Sequence, residues 1–233
     1  MPHRIKTISL SVPYRPGSVN CYLVETDAGF VLIDTGGSSS RADLVRELES
    51  AGCKPGSLNL IVLTHGDFDH TGNGAFLREK FGTRTGMHIH DSGMVERGDM
   101  FSNRASGNAL FRRMVPILFR FAKSDRFKPD LYVEEGDDLA DYGFDARVLH
   151  LAGHSKGSIG ILTAGGDLFC GDLLDNTDKP VLSSIMDDLA AAKASVEKLR
   201  GLEIHTVYPG HGRPFPMELF IRSHQETNAK EEV

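Results

Sequence analysis

Short apolar runs, punctuated by glycine, proline and aspartate, recur through the first third of the chain. Ile5 to Val12, Val19 to Glu25 and Phe30 to Ile33 are rich in β-branched and apolar residues and predict strands. Thr26-Asp27-Ala28-Gly29 joins the second and third of these as a hairpin turn. Asp34-Thr35-Gly36-Gly37 then ends the third strand, and Ser39 or Ser40 is placed to cap a helix running to about Ala51. Leu60 to Leu63 is continuously apolar, the pattern of a strand buried on both faces, and a helix is expected from Asn73 to Phe81. Later strands are expected at Ala146 to Leu149, Ser158 to Thr163, Asp167 to Cys170 and Ile204 to Tyr208. A helix from about Asp187 to Leu199 precedes the last of them, with Asp187 and Asp188 as its caps. Two strand-rich halves, each closing on helices, predict mixed sheets with helices outside.

Between these halves the character changes. From about Ser92 to Lys128, methionine, phenylalanine and leucine crowd in among arginines, and Pro116 breaks what reads as a helical insertion. Arg97 to Lys128 holds eight basic residues against two acidic, so it carries +6 while the rest of the chain carries −12. Such a segment suits a lid over a site, binding something partly apolar and anionic; a homodimer surface and a membrane-surface contact are the competing readings.

Composition narrows the class. The net charge of −6 argues against a nucleic-acid partner. Three widely spaced cysteines, Cys21, Cys53 and Cys170, form no CxxC pair, so no disulfide framework or thiolate zinc site is indicated. The first residues show no secretory leader, and no run approaches the length of a spanning helix; a cytoplasmic setting is expected.

Ligand-capable residues fall at the ends of apolar strands in four places. Thr64-His65-Gly66-Asp67-Phe68-Asp69-His70 follows Leu60 to Leu63. His154 lies in Gly153-His154-Ser155, Asp172 in Cys170-Gly171-Asp172, and His211 in Pro209-Gly210-His211. One histidine or aspartate at a strand end is usually a turn former. Four such loops, all glycine-rich, point to imidazoles and carboxylates gathered on a metal. Asp34 reads as a loop-fixing residue and Lys156 as a neighbour of the site. His88 and His90 would share one face if Met87 to His90 were extended, with His90 a surface residue.

These motifs resemble those of the metallo-β-lactamase-fold hydrolase superfamily. Its HxHxDH motif matches His65-x-Asp67-x-Asp69-His70 except at Asp67, and Leu32-Ile33-Asp34-Thr35-Gly36 is also typical of it. The resemblance implies an αββα four-layer sandwich of two mixed β-sheets flanked by helices, as one domain over 1–233 with the 92–128 insertion. It implies two divalent metal ions: His65 and His154 on the first, Asp69, His70 and His211 on the second, and Asp172 bridging. Asp69 would also orient the nucleophile, a metal-bridging hydroxide that attacks an ester, thioester, lactone or phosphoester.

Asp67 stands where the family usually has histidine. Two divalent ions with two aspartates give a site charge of about +2, and a third carboxylate lowers it to about +1. That shifts the expected metal from zinc toward iron or manganese, with Asp67 binding directly or through water. A carboxylate replaces this histidine in the flavodiiron branch of the superfamily. An iron-dependent redox enzyme of the same fold, and a non-catalytic metal-binding protein, are therefore the alternatives to a hydrolase.

Overall fold

The computed structural model describes residues 3–12, 17–104 and 109–223. Its first sheet runs β1 (Arg4–Ser11), β2 (Ser18–Thr26), β3 (Gly29–Ile33), β4 (Leu58–Val62), β5 (Arg84–Met87) and β6 (Leu131–Tyr132), in that spatial order. β1, β2 and β3 are antiparallel neighbours; β3 to β6 run parallel. The second sheet contains β7 (Ala146–His150), β8 (Ile159–Thr163), β9 (Asp167–Gly171), β12 (Thr206–Pro209) and β13 (Phe215–Pro216), in the order β13-β12-β9-β8-β7. β10 (Leu174–Asp175) and β11 (Val181–Leu182) form a small separate ribbon.

Alternation along the strands explains the layers. In β3, Val31 and Ile33 point into the core between the sheets, whereas Leu32 joins the core outside the first sheet. β4 repeats this, with Leu60 and Val62 between the sheets and Ile61 outside. Both faces are covered, so the runs are continuously apolar. The outer face of the first sheet packs on α1 (Arg41–Ser50) and α3 (Gly74–Phe81) through Leu44, Leu48, Leu77 and Phe81. The outer face of the second packs on α6 (Leu189–Arg200) through Ala192, Val196 and Leu199. The arrangement is the expected αββα sandwich.

Some local expectations need correction. Ser40 occupies the N-cap position of α1, but its hydroxyl donates to Ser11 O at 2.9 Å instead of capping. Asn73 likewise spends its amide on Thr35 O (2.8 Å) and Gly37 O (3.0 Å), fixing the loop after β3. Asp188 does cap α6, accepting from Ala191 N at 3.0 Å; Asp187 does not, because it faces Arg104. Residues 87–90 are not extended: β5 ends at Met87, His88 is the N-cap of α4 (Ile89–Arg97), and His90 is exposed in its first turn.

The basic, apolar insertion begins inside α4 and continues through α5 (Ala109–Leu118), which carries Pro116 in its last turn. Residues 105–108, and the side chains of Ala109, Phe111 and Arg112, lie outside the described residues. Part of its apolar content is core. Met94, Met100, Val115 and Phe121 close around Phe68, and the Phe121 ring stacks on Phe68 with centroids 4.1 Å apart. Phe68 stands between Asp67 and Asp69, so the insertion buttresses the central motif from behind. Another part faces outward: Leu110 and Ile117 are 69% and 73% exposed, with Met114 and Leu118 beside them on α5. Among the described residues no helix is long and apolar enough to cross a membrane.

Candidate metal centre

All four motif loops leave the carboxyl ends of strands at one edge of the sandwich. The run from Thr64 to His70 follows β4, with Asp69 and His70 in the short helix α2 (Phe68–Thr71). His154 follows β7, Asp172 follows β9 and His211 follows β12. Across the edge, Asn20 N donates to Gly210 O (2.8 Å), Asn20 Nδ2 to Gly212 O (2.7 Å) and Tyr22 Oη to Pro209 O (2.6 Å). The first sheet thus fixes the His211 loop. Gly210 must lack a side chain, since a Cβ there would lie 2.1 Å from Asp172 Oδ1.

Six of the seven expected residues gather into two adjacent groups. Donor atoms of His65, His154 and Asp172 lie within 4.8 Å of one another, as do those of Asp69, His70 and His211. Asp172 spans the two: Oδ2 is 3.3 Å from His211 Nε2 and 3.9 Å from His65 Nε2, while Oδ1 is 3.3 Å from His70 Nε2. Asp67 stands at the border of the first group, Oδ2 being 3.1 Å from His154 Nε2 and 3.9 Å from His65 Nε2.

Every histidine is oriented through its Nδ1. His70 Nδ1 donates to Asp34 Oδ2 (2.9 Å), His154 Nδ1 to Ile185 O (2.7 Å) and His211 Nδ1 to Ser18 O (2.7 Å). Thr64 Oγ1 gives its proton to Asp34 Oδ2 (2.8 Å), so at 2.9 Å it accepts from His65 Nδ1. With Nδ1 protonated in all four, the Nε2 lone pairs face the centre. Asp34 therefore positions two rings, and holds its own backbone at φ 58° to do so.

The electrostatics call for positive charge. Burial pushes the Asp69 carboxyl up, with the Asp67 and Asp172 charges adding to it. Burial opposes charge on His70, yet Asp172 and Asp34 outweigh it and hold the ring well above its usual value. Burial also opposes charge on His154, but Asp67 raises it to about 9. His65, surrounded by His70 and His154, is pushed well down, chiefly by burial. Buried His65 Nε2, His70 Nε2 and Asp172 Oδ1 have no hydrogen-bond partner. An unmet buried polar atom costs about 1–3 kcal/mol, so three of them converging mark a ligand cage. Four imidazoles and three carboxylates are the donors that zinc, iron and manganese accept, and the residues fit a pair of divalent ions.

A third histidine group, His88, His90 and His150, also has donor atoms within 4.8 Å. Its geometry differs. The His88 and His150 rings stack at 4.4 Å and 5°, and two parallel rings cannot aim in-plane lone pairs at one ion. His88 Nδ1 accepts from His90 N, and His150 Nε2 donates to Lys156 O, so the pair fixes α4 against the His154 loop. Lys156 thus contributes its backbone there.

Sequence reasoning missed two residues. Asp91, fully buried, accepts from Gly66 N (2.9 Å), Gly157 N (2.9 Å), Ser155 Oγ (2.6 Å) and Asn103 Nδ2 (2.8 Å), tying the loops of His65 and His154 to the insertion. Arg104, from the insertion, bonds Asp67 Oδ1 at 2.8 Å and Asp187 Oδ2 at 2.6 Å. Neither lies in a recognisable motif; the excess of arginine in the insertion was the only signal for the second.

The model of the metallo-beta-lactamase superfamily matches residues 14–211. Among curated proteins, the chain is 28% identical over 168 residues to the hydroxyacylglutathione hydrolase GloC of Haemophilus influenzae, covering 70% of each chain. It is 29% identical over 231 residues to the acyl-coenzyme A thioesterase MBLAC2 of Bos taurus, covering 90% of this chain and 78% of that one. Among solved structures it is similar to TTHA1623 in a di-iron-bound form, with 30% identity, a TM-score of 0.67, and coverage of 91% and 96%. The Sulfolobus tokodaii protein ST1585, at 21% identity and a TM-score of 0.72 over all of this chain and 89% of that one, shares the fold. Sandwich, loops and donor set agree with these likenesses, and the chain belongs to the metallo-beta-lactamase superfamily, whose hydrolases depend on divalent metals.

Proposed function

We propose that this chain hydrolyses thioesters at a dinuclear metal site. The observation that carries the reading is the set of buried, unpartnered Nε2 and carboxylate atoms of His65, His70 and Asp172, converging from both sheets. His65, His154 and Asp67 would hold the first ion and Asp69, His70 and His211 the second, with the Asp172 carboxylate shared between the two groups. A bound pair supplies Lewis acidity and makes a water nucleophilic near neutral pH. The chain's own groups do the rest. Asp34 and Thr64 keep the rings aimed, so nothing must reorganise during the reaction. Asp69, with Oδ2 3.7 Å from His211 Nε2, accepts a proton of the attacking water and orients its lone pair.

Two similarities support a thioester: hydroxyacylglutathione and acyl-coenzyme A, named for two relatives, both carry one. The outward face of α5 offers Leu110, Met114 and Ile117 for an acyl chain; Arg113 on the helix, with Arg120 and Lys123 beyond its end, are available for an anionic carrier. Zinc and iron both satisfy the donor set; elemental analysis of protein purified without added metal identifies the resident ion. The test is thiol release from acyl-coenzyme A and acylglutathione thioesters of graded chain length, with and without chelation. Asp172→Ala is expected to lose metal and turnover together. Chelator-insensitive turnover, or full metal content in that variant, would reject the reading; turnover confined to lactones or phosphoesters would reject the thioester.

A further inference from the structure

Asp67 adds a negative charge where the superfamily usually places a neutral ring, and the insertion adds a positive one beside it. We propose that Arg104 is the built-in counter-ion of Asp67: its guanidinium holds Oδ1, cancels the added charge and turns Oδ2 toward the first metal position, so that the Asp67–Arg104 pair fills the place of a neutral imidazole. The inference rests on the dinuclear reading above.

The two oxygens of Asp67 face different neighbours. Oδ2 stands among the first group's donors, 3.1 Å from His154 Nε2 and 3.9 Å from His65 Nε2. Oδ1 is turned away from them, 2.8 Å from Arg104 Nη1. A carboxylate can serve a metal with one oxygen and a guanidinium with the other, and the short aspartate side chain is braced by that second bond. Arg104 is itself fixed. Its Nε donates to Asp187 Oδ2 at 2.6 Å, its Nη2 approaches His154 O at 3.4 Å, and its side chain is only 6% exposed. Three acceptors on separate segments hold the planar fork. Asp187, 30% exposed, sits at the rim, where water screens its charge; Asp67 is buried and needs the cation.

The charge count follows. Two divalent ions with Asp67, Asp69 and Asp172 leave about +1, and Arg104 restores about +2, the value of a site with histidine in place of Asp67. The third carboxylate therefore does not by itself make the centre electron-rich, which weakens the sequence argument for iron or manganese. Arg104 is a positioning residue: it reaches the metal position only through Asp67.

Zinc retention against a chromophoric chelator, at one pH above neutrality, tests this with a readout independent of turnover. Charge cancellation makes the single variants move in opposite directions. Arg104→Met loses the brace on Asp67 but removes a cation beside the ions, which is the larger effect, and should raise retention roughly tenfold or more, whereas Asp67→His leaves the guanidinium unmatched and should lower it by a similar factor. The double variant should return to within about threefold of the parent, and Arg104→Lys, which keeps the charge, should also stay there. An arginine that only anchors the insertion predicts losses in both single variants and a larger loss in the double; that pattern would overturn the proposal. Should Arg104→Met not fold, Arg104→Lys and Arg104→Gln decide: lysine near the parent with glutamine raised supports compensation, and equal behaviour of the two overturns it. A parent chain that retains no zinc, iron or manganese would instead sink the dinuclear reading itself.

Discussion

Removing the Asp91 carboxylate should be among the most damaging single changes outside the metal-facing residues. The side chain is fully buried and accepts four hydrogen bonds. In Asp91→Ala, two donors lose little: Ser155 Oγ keeps Ser158 Oγ at 2.8 Å and Asn103 Nδ2 keeps His90 O at 2.6 Å. The amides of Gly66 and Gly157 have no such substitute, and each orphaned buried N–H costs about 1–3 kcal/mol. Their sum centres on about 4 kcal/mol. At a urea dependence of about 2 kcal/mol per molar, the unfolding midpoint should fall by about 2 M. The assay is urea unfolding of the chelated, metal-free protein, so that metal binding does not enter. Asp91→Asn keeps one acceptor oxygen and should fall between. Because Gly66 and Ser155 adjoin His65 and His154, zinc retention should weaken in parallel. A midpoint shift below about 0.5 M would mean that water or a rearranged loop satisfies both amides, and that Asp91 does not hold the two loops together.

Phe68→Ala should cost about 3–5 kcal/mol, because the ring is fully buried against Phe121, Met94 and Val115, and should expose the insertion to limited proteolysis; resistance equal to the parent's would show that the insertion does not depend on this anchor. Burial, with His150 and His90 adding to it, pushes His88 down to about 4. It is therefore neutral when folded and binds a proton near 6.5 when unfolded, so its contribution is present above about 6.5 and is lost as pH falls toward 4. His70, His154 and His211 are shifted upward and act in the opposite sense, so the measurement is the difference between the parent and His88→Gln, whose stability should decline less on acidification; parallel curves would contradict the assignment.

The parts of this molecule that could be read from its sequence are those governed by local pattern. Continuous apolar runs marked β3 and β4, and the glycine-rich loops after them placed the donors at strand ends. β5 escaped because Arg84–Met87 is four residues long and contains threonine and glycine in place of a branched run. Asp187 and Asp188 look equivalent before α6, yet only tertiary contact decides that one caps the helix and the other faces Arg104. The bond between Arg104 and Asp67 joins residues 37 apart, one of them in a segment whose other described arginines are exposed. Nothing periodic announces such a pairing. Asp91 lies in His90-Asp91-Ser92-Gly93, which reads as a polar turn and is buried because three loops close over it.

The centre draws its donors from both halves of the sandwich: Asp67, Asp69 and His70 hang from the first sheet, His154, Asp172 and His211 from the second. Ions seated there would rivet two layers that otherwise meet through apolar packing and a few loop hydrogen bonds. Heat tolerance should then track metal supply, and a cell short of metal would see this protein lose structure as well as catalysis.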